Sequence, residues 1–484
     1  MEEQNNNDNE PLKPTFSMPP ESQTDEVNKT DSYKFKRNLI IILIIIGIIL
    51  IAIALIIIIR YYLFNYIEVK YYIENPENET LLFDKSFIKY IKSIKINGAP
   101  SDIKNVHSFD NPGIYAIKIK FKEKLKIIDR FFFKVKSLIS VDLSHFYSDK
   151  IKTTSEMFSG CSNLINVTFG QFFTNKIYNI SNMFSGCSSL GSVDLSGLRY
   201  NTLKDIYGLF SGCKKLKSFN DSTSFNWTGV INASNLFRDC CSLEKINVTF
   251  ETKNTEDMSN MFYGCSSLHY INFTIFNTTN AINMFGMFDG CKSLHNFSLP
   301  EKSNYFKTDK VEIMSFMFGG CLSLTSINLS LFNTENVIDM YGMFENCKNL
   351  ETINMFNFNI SKVEDMGNLF GNCTSLKKVN LSNLNTDNLV YMAGMFQNCS
   401  ALESLDLSSF DTKNLIDASY LLNGCKNLRF INFSRFNASK LLKYENIFNG
   451  LPDYGKLIYN SEIFKKEIID LLPGNWTTEG LEDL

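Results

Sequence analysis

A phrase of the form Met-Phe-x-Gly-Cys-x-x-Leu-x-x-Ile-Asn-Leu-Ser-x-Phe-Asn-Thr recurs about every 26 residues between Phe131 and Leu451. A fixed period of that length means stacked supersecondary units, because one such unit cannot bury its own apolar face. The cysteines mark the beat. They fall at Cys161, Cys187, Cys213, Cys240, Cys265, Cys291, Cys321, Cys347, Cys373, Cys399 and Cys425, in steps of 26, 26, 27, 25, 26, 30, 26, 26, 26 and 26. Cys241 is out of step. One beat further each way, Val135 and Leu451 put apolar side chains where the thiol stood, as end units do, so twelve units are expected.

Within a unit, Leu324, Ile327 and Leu329 fall on the inward face of a short strand and Asn328 on the outward face. Phe332-Asn-Thr334-Glu-Asn336 is turn-rich. Val337, Met340, Met343 and Phe344 then recur at three- and four-residue spacing, which predicts a short helix or 3₁₀ return packed inward. The expected fold class is an α/β-type repeat solenoid, with one short parallel strand and one helical return per unit. At ~4.8 Å between strands, its core would run roughly 60 Å.

The solenoid is assigned to residues 131–451. Residues 38–59, NLIIILIIIGIILIAIALIIII, are uncharged and long enough to cross ~30 Å of hydrocarbon as a helix. A cleaved secretory signal would carry a shorter apolar run nearer the N-terminus, so this span is expected to stay. Lys34, Lys36 and Arg37 crowd its leading edge and Arg60 stands alone at the other, which places the N-terminus in the cytoplasm and the repeats outside. Residues 1–37, rich in Pro, Asn and acidic side chains, are expected to be a disordered cytoplasmic tail. Residues 60–130 alternate apolar and polar side chains between Asn-Gly and Pro-Gly turn signals, which reads as a β-rich N-terminal cap over the open sheet edge. From 452 to 484 the phrase is abandoned, and this segment, with Trp476, is read as the C-terminal cap.

Cys321-x-x-Leu324-x-x-Ile327-Asn328-Leu329-Ser330, together with Met343-Phe344-Glu-Asn-Cys347, resembles the BspA-like leucine-rich-repeat surface proteins. Within them it is similar to the variant of about 26 residues with a Met-Phe-x-x-Cys signature. The resemblance covers about two thirds of the chain. It implies a leucine-rich-repeat-like, right-handed solenoid displayed on a cell surface and used for adhesion to host cells, matrix proteins or other microbes. The chain departs from the lipoprotein members in carrying a span where they carry a lipid-anchor cysteine.

Eleven cysteines in one slot admit two readings, a disulfide framework or a ladder of buried free thiols. Each lies three residues after Phe (or Leu) and three before Leu, inside the inward set, which favours buried thiols. Cys241 must point elsewhere, as a reactive thiol, an intermolecular link or a packing residue. The seventh residue after each beat forms an outward polar column: Asp142, Thr168, Asp194, Asn220, Asn247, Asn272, Ser298, Asn328, Asn354, Asn380, Asp406 and Asn432. Stacked side-chain hydrogen bonds are one expectation for it. Asp194, Asn247, Asn272, Asn328, Asn380 and Asp406 are the candidate binding face. Many of its Asn residues open N-x-Ser/Thr sequons, but glycans ~5 Å apart would crowd one another, so Asn78, Asn226 and Asn475, off the column, are the candidate glycosylation sites.

His269 and His295 occupy equivalent slots beside Glu244. They are read as unrelated surface histidines; the alternative is a shared metal. The 30-residue step contains LPEKSNYFKTDK, with Pro300, and is expected to bulge as a surface loop. Gly-x-Ser-x-Gly, His-Glu-x-x-His, phosphate-loop and Cys-x-x-Cys signatures do not occur, so no catalytic residue, cofactor or metal is expected. A net charge of −3 with scattered Lys and Arg gives no field for nucleic acid. The expected function is adhesion or recognition at the plasma membrane, with an extracellular protein or glycan as ligand; the alternative is a single-span receptor signalling through its tail.

Overall fold

The computed structural model describes residues 22–63, 65–169, 176–195, 203–219, 227–246, 252–271, 276–295, 297 and 306–481, except for the side chains of 22–32 and 57–63. The chain divides into two units, Met1–Phe64 and Asn65–Leu484. The first contains the helix α1 (Ser22–Leu63), whose Tyr33–Ile56 stretch is long and apolar enough to cross a membrane and is wholly unburied. Residues 22–37 contain neither Pro nor Gly, so the helix continues N-terminally into the segment assigned to the tail.

The second unit opens with strands β1 (Tyr66–Ile73), β2 (Thr80–Leu81), β3 (Ile91–Ile96), β4 (Ala99–Ser101), β5 (Val106–His107) and β6 (Gly113–Phe121). In β1, Ile67, Val69, Tyr71 and Ile73 are buried while the residues between them face out, as period-two alternation dictates. The solenoid strands begin with β7 (Leu138–Asp142) and β8 (Asn166–Thr168). The sheet order β4-β3-β6-β1-β7-β8 lays β1 antiparallel against β7, and β7 runs parallel to β8. The cap therefore hydrogen-bonds directly to the solenoid's first strand and occupies an edge that would otherwise be open.

Parallel strands continue as β9 (Ser218–Phe219), β10 (Lys245–Ile246), β11 (Tyr270–Ile271), β12 (Thr352–Asn354), β13 (Lys378–Asn380), β14 (Ser404–Asp406) and β15 (Phe430–Phe433). Past Leu451 the repeat phrase is lost but the parallel ladder is not. β16 (Tyr454–Asn460) and β17 (Asn475–Leu481) add two strands to β15, linked by the short helix α2 (Lys466–Ile469), which buries Ile468. The Trp476 indole donates to the Pro452 carbonyl at 2.8 Å, and its ring fills the space where a Cβ on Gly455 would lie.

The predicted helical return is not what forms. Among the described residues of 131–451, regular helix is limited to the 3₁₀ turn Trp227–Gly229. The return is instead a second parallel ladder, whose isolated bridges link Thr153, Asn179, Asp205, Asn232, Asp257, Asn283, Ile313, Asp339, Asp365, Tyr391, Asp417 and Lys443 in eleven steps, followed by a chain of tight turns. In one coil the amides of Met340, Gly342, Phe344 and Asn346 donate to carbonyls of the next coil, at Asp365, Gly367, Leu369 and Gly371. The intervening amides of Met343, Glu345 and Cys347 close three-residue turns on Met340, Gly342 and Phe344. An α-helix would need all of these amides for its own carbonyls. Two left-handed positions per coil, four residues apart, make the alternation possible: Gly342 and Asn346 have φ of 58° and 62°, Asn368 and Asn372 51° and 61°, Gly394 and Asn398 64° and 59°. The three- and four-residue apolar spacing was real, but successive turns reproduce it as well as a helix does. The protein is a β-solenoid.

Its core is built of columns. Phe132, Phe158, Phe184, Phe210, Phe237, Phe262, Phe288, Phe318, Phe344, Phe370 and Phe396 stack ring on ring, with centroids 5.4–5.8 Å apart. Beside them the eleven beat cysteines are free and buried. Each thiol donates to the carbonyl of the phenylalanine one coil back, as Cys347 does to Phe318 at 3.1 Å and Cys373 to Phe344 at 3.1 Å. The bond occupies the weak S–H donor inside the core. Burial pushes the thiols of Cys161, Cys347 and Cys425 up to about 12, which keeps them protonated and unreactive. Alkylation of the native protein should therefore label Cys241 at most, and alkylation after denaturation without reductant should label nearly all twelve. Mass spectra showing several intramolecular disulfides would overturn the thiol column.

Candidate polar binding face on the parallel strands

The outward face of the strands carries two parallel columns. Strand register sets Thr352 beside Lys378 and Ser404 beside Phe430, with Asn354 beside Asn380 and Asp406 beside Asn432. Ser326, Thr352, Lys378, Ser404, Asn354, Asn380 and Asp406, with the edges of Ile327, Ile353 and Val379, line a shallow concavity of about 530 Å³. Hydroxyl and amide groups dominate it, with Lys378 and Asp406 as its charges. The face offers hydrogen bonds to a ligand; among its described residues no acid is paired with a base and no nucleophile is held against a base.

The candidate column residues Asp194, Asn328, Asn380 and Asp406 are exposed. Their expected ladder of side-chain hydrogen bonds is not how the oxygens are used. Asn328 Oδ1 accepts from the Ser330 amide, Asn354 from Phe356, Asn380 from Ser382, Asp406 from Ser408 and Asn432 from Ser434. These are Asx turns that bend the chain out of each strand, and they leave the Nδ2 amides as outward donors. Similar turns recur at two further corners of the coil, for example at Asn333 onto Glu335 and at Asp339 onto Tyr341. Asn or Asp at fixed offsets was the sequence signal for these corners. Asn220, Asn247, Asn272 and Ser298 lie outside the described residues, as do Asn226, Pro300 and Lys302. The insertion rejoins the core at Phe306, which is buried, and Lys307 exchanges hydrogen bonds with the buried Thr278.

A second concavity of about 520 Å³ lies where cap and solenoid strands meet, lined by Glu68, Lys70, Lys95, Lys118, Ser140, Asp142, Asn166 and Thr168, among others. Lys118 bridges to Glu68 at 2.9 Å and lies over the Tyr66 ring at 3.4 Å. Of the glycosylation candidates, Asn78 is exposed in the turn after β1, and Asn475 is exposed at the start of β17. His269 and His295 each turn Nδ1 to a carbonyl two residues back, Ser267 at 3.2 Å and Ser293 at 2.9 Å. Among the described residues no group of three His, Cys, Asp or Glu side chains is placed to hold a metal ion. Cys241 is half-buried, 3.4 Å from the Asp239 carbonyl.

On the turn face sequence reading missed a perturbed acid. Burial, reinforced by Glu345, raises the Asp289 carboxyl from 3.8 to about 6, with Arg238 and the Gly290 amide opposing. Burial also raises Glu345. An acid with a raised folded-state pKa costs stability while ionised, so stability should increase as pH falls from 7.5 through about 6 towards 3.8. At ~1.4 kcal/mol per pH unit the ceiling is about 3 kcal/mol, and partial solvation reduces it to about 1–2. Asp289→Asn should raise the midpoint of thermal unfolding at pH 7.5 and flatten its rise towards pH 5. An unchanged pH profile would refute the assignment.

The family described as "Mycoplasma protein of unknown function, DUF285" matches residues 126–247, 205–303, 231–356 and 348–460, together more than half of the chain. No curated protein matches. Among solved structures the chain is similar to a leucine-rich repeat protein from Bacteroides ovatus, at 17% identity over 72% of this chain and 88% of that one, with a TM-score of 0.44. It is also similar to a leucine rich cell surface protein from Faecalibacterium prausnitzii, at 19% identity over 65% and 83%, with a TM-score of 0.38. The family match spans the repeats from before the first beat cysteine to beyond the last, and on that ground the chain belongs to the DUF285 family.

Proposed function

We propose that this protein is a membrane-anchored adhesion or recognition module of the BspA-like type, in its variant of about 26 residues per repeat. In this reading residues 38–59 span the plasma membrane, with Lys34, Lys36 and Arg37 and the N-terminus in the cytoplasm, and the solenoid is extracellular. The observation that carries the proposal is the polar strand face, whose described residues from Ser326 to Asp406 present hydroxyl and amide groups over a columnar core. Its ligand is a protein or glycan able to use many modest hydrogen bonds, and no cofactor takes part.

The test uses the full chain expressed on cells. Protease added outside should remove the repeats and spare an N-terminal tag, and the cells should adhere to a matrix-protein or glycan array. Thr352→Arg with Lys378→Glu changes the concavity without touching an Asx turn and should reduce adhesion at least tenfold with the fold retained. Protection of the repeats would refute the topology. Unchanged adhesion with loss on replacing residues 302–307 would move the site to the insertion.

A further inference from the structure

The residues nine before the beats stack in one column on the corner next to the second ladder, as the Ile231 amide donating to the Lys204 carbonyl and the Glu256 amide to the Ile231 carbonyl show. Its alternating stretch, exposed throughout, reads Lys152, Tyr178, Lys204, Ile231, Glu256, Ile282, Glu312, Ile338 and Glu364 in successive coils, and the column then continues through the apolar Val390, Ile416 and Leu442. From Lys152 to Glu364 charged and apolar residues alternate coil by coil, and the sign of the charge switches partway along. Tyr178, Ile231 and Ile282 keep 44%, 43% and 37% of their surface exposed, more than a core position would. Lys152, Lys204, Glu256 and Glu312 have no ion-pair partner among the described residues. Four unpaired charges interleaved with exposed apolar side chains at a fixed coil spacing of ~4.8 Å call for a partner with the same spacing.

A second copy of this chain has it. Laid parallel and in register, the column opposes lysine to lysine and glutamate to glutamate. Laid antiparallel about Ile231, it opposes Lys152 to Glu312, Tyr178 to Ile282, Lys204 to Glu256, and Ile231 to itself. Of the antiparallel registers that align charge with charge, this is the one in which every charge inside the overlap meets its opposite, with Glu364 lying beyond the overlap. In the adjoining column Asp205 and Asp257 would face each other, but each accepts from its own backbone, at Tyr207 and Ser259, and lies beside the Lys204–Glu256 pairs.

We propose that the corner column from Lys152 to Glu312 is a homophilic contact, joining two copies of the chain antiparallel about Ile231. The arrangement is isologous, as a two-fold interface must be. It sends the two Asn65 ends, which the anchor segment precedes in the sequence, to opposite ends of the pair. Resting on the adhesion reading, it therefore makes the partner a second copy on a facing membrane. A strip seven coils long, about 30 Å, buries less than the ~1,200 Å² of a stable soluble complex, so the contact works between surfaces carrying many copies.

Charge exchange tests it on full chain displayed on two dye-labelled cell populations. Wild-type cells should cluster with each other. Lys152→Glu with Lys204→Glu should abolish clustering within that population, and Glu256→Lys with Glu312→Lys should do the same. Mixing the two variants should restore clustering between colours, because every pair is then opposite again. Ile231→Cys should form an interchain disulfide at cell–cell contacts under mild oxidation, and Ile338→Cys should not, against the same Cys241 background. Absent clustering of wild-type cells, clustering by both variants alone, or no restoration on mixing would overturn the proposal. Cells that fail to cluster but still adhere to the array would refute this contact and leave the adhesion reading standing; loss of both would remove both.

Discussion

Phe344→Ala should lower the free energy of unfolding by about 3–5 kcal/mol, the range for deleting a fully buried aromatic ring. Phe344 is completely buried, with Phe318 stacked at 5.6 Å and 4° on one side and Phe370 at 5.8 Å and 10° on the other. The coils above and below cannot close the gap, because their spacing is fixed by the backbone ladders from Met340 to Asp365 and from Asn346 to Gly371. In a repeat array each coil also depends on its neighbours, so the loss should spread. Hydrogen exchange should accelerate in the coils carrying Phe318 and Phe370 well before the cap strand β1 responds. Phe356→Ala is the control: with half of its surface exposed, it should cost about 0.5 kcal/mol or less. A denaturation curve for Phe344→Ala within 1 kcal/mol of wild type would show that the ring column is not a principal source of stability.

What the sequence made legible follows from what a period can encode. The cysteine beat fixed the stacking, and the inward Leu324, Ile327 and Phe344 are all buried as their spacing required. The return was misread for a physical reason: spacing of three and four residues is shared by a helix and by successive tight turns. What separates them is a residue class, not an apolar pattern. Gly or Asn immediately before the cysteine, as at Gly290, Asn346 and Asn372, marks a left-handed backbone that no helix interior would repeat. Of the outward column, Asp194, Asn328, Asn354, Asn380 and Asp406 are exposed, but the side-chain oxygens serve the local bend, as Asn328 does for Ser330. Short-range demands met two residues away outcompete a ladder whose partner is a coil away. The raised Asp289 was invisible because its burial is a product of tertiary packing, and the charges that adjust it, Glu345 upward and Arg238 downward, stand two coils away on either side.

The alternation along the corner column was in principle readable, since it needs only residues one period apart written side by side. It escaped notice because each member, a lone Ile231 or Glu256, is ordinary in its own unit. Solenoids turn such sparse positions into continuous surfaces, and for that reason a recognition function can reside where no motif does. On the proposed function, stability and recognition would occupy different columns of the same repeat: Phe, Cys and Met inside, Asn and Ser at the bends, and the ligand contacts on the strand face and corner.

Gly290→Val should cost about 2–4 kcal/mol, whereas Gly290→Asn at the same position should cost under about 1. Gly290 has φ of 74°, and an added Cβ would sit 3.4 Å from the backbone N and Cα of Gly264 in the preceding coil. Its amide also donates to the Gly319 carbonyl at 2.7 Å, so the backbone cannot rotate out of the left-handed region without breaking an inter-coil bond. A β-branched side chain meets both obstacles, conformational and steric. Asparagine meets little of either, because Asn346, Asn372 and Asn398 already occupy this slot at φ of 62°, 61° and 59°. Matched thermal melts of the two variants would decide the matter. Equal destabilisation would mean that crowding against Gly264 controls the position and backbone handedness does not, and equal tolerance would mean that the turn can be rebuilt without its left-handed residue.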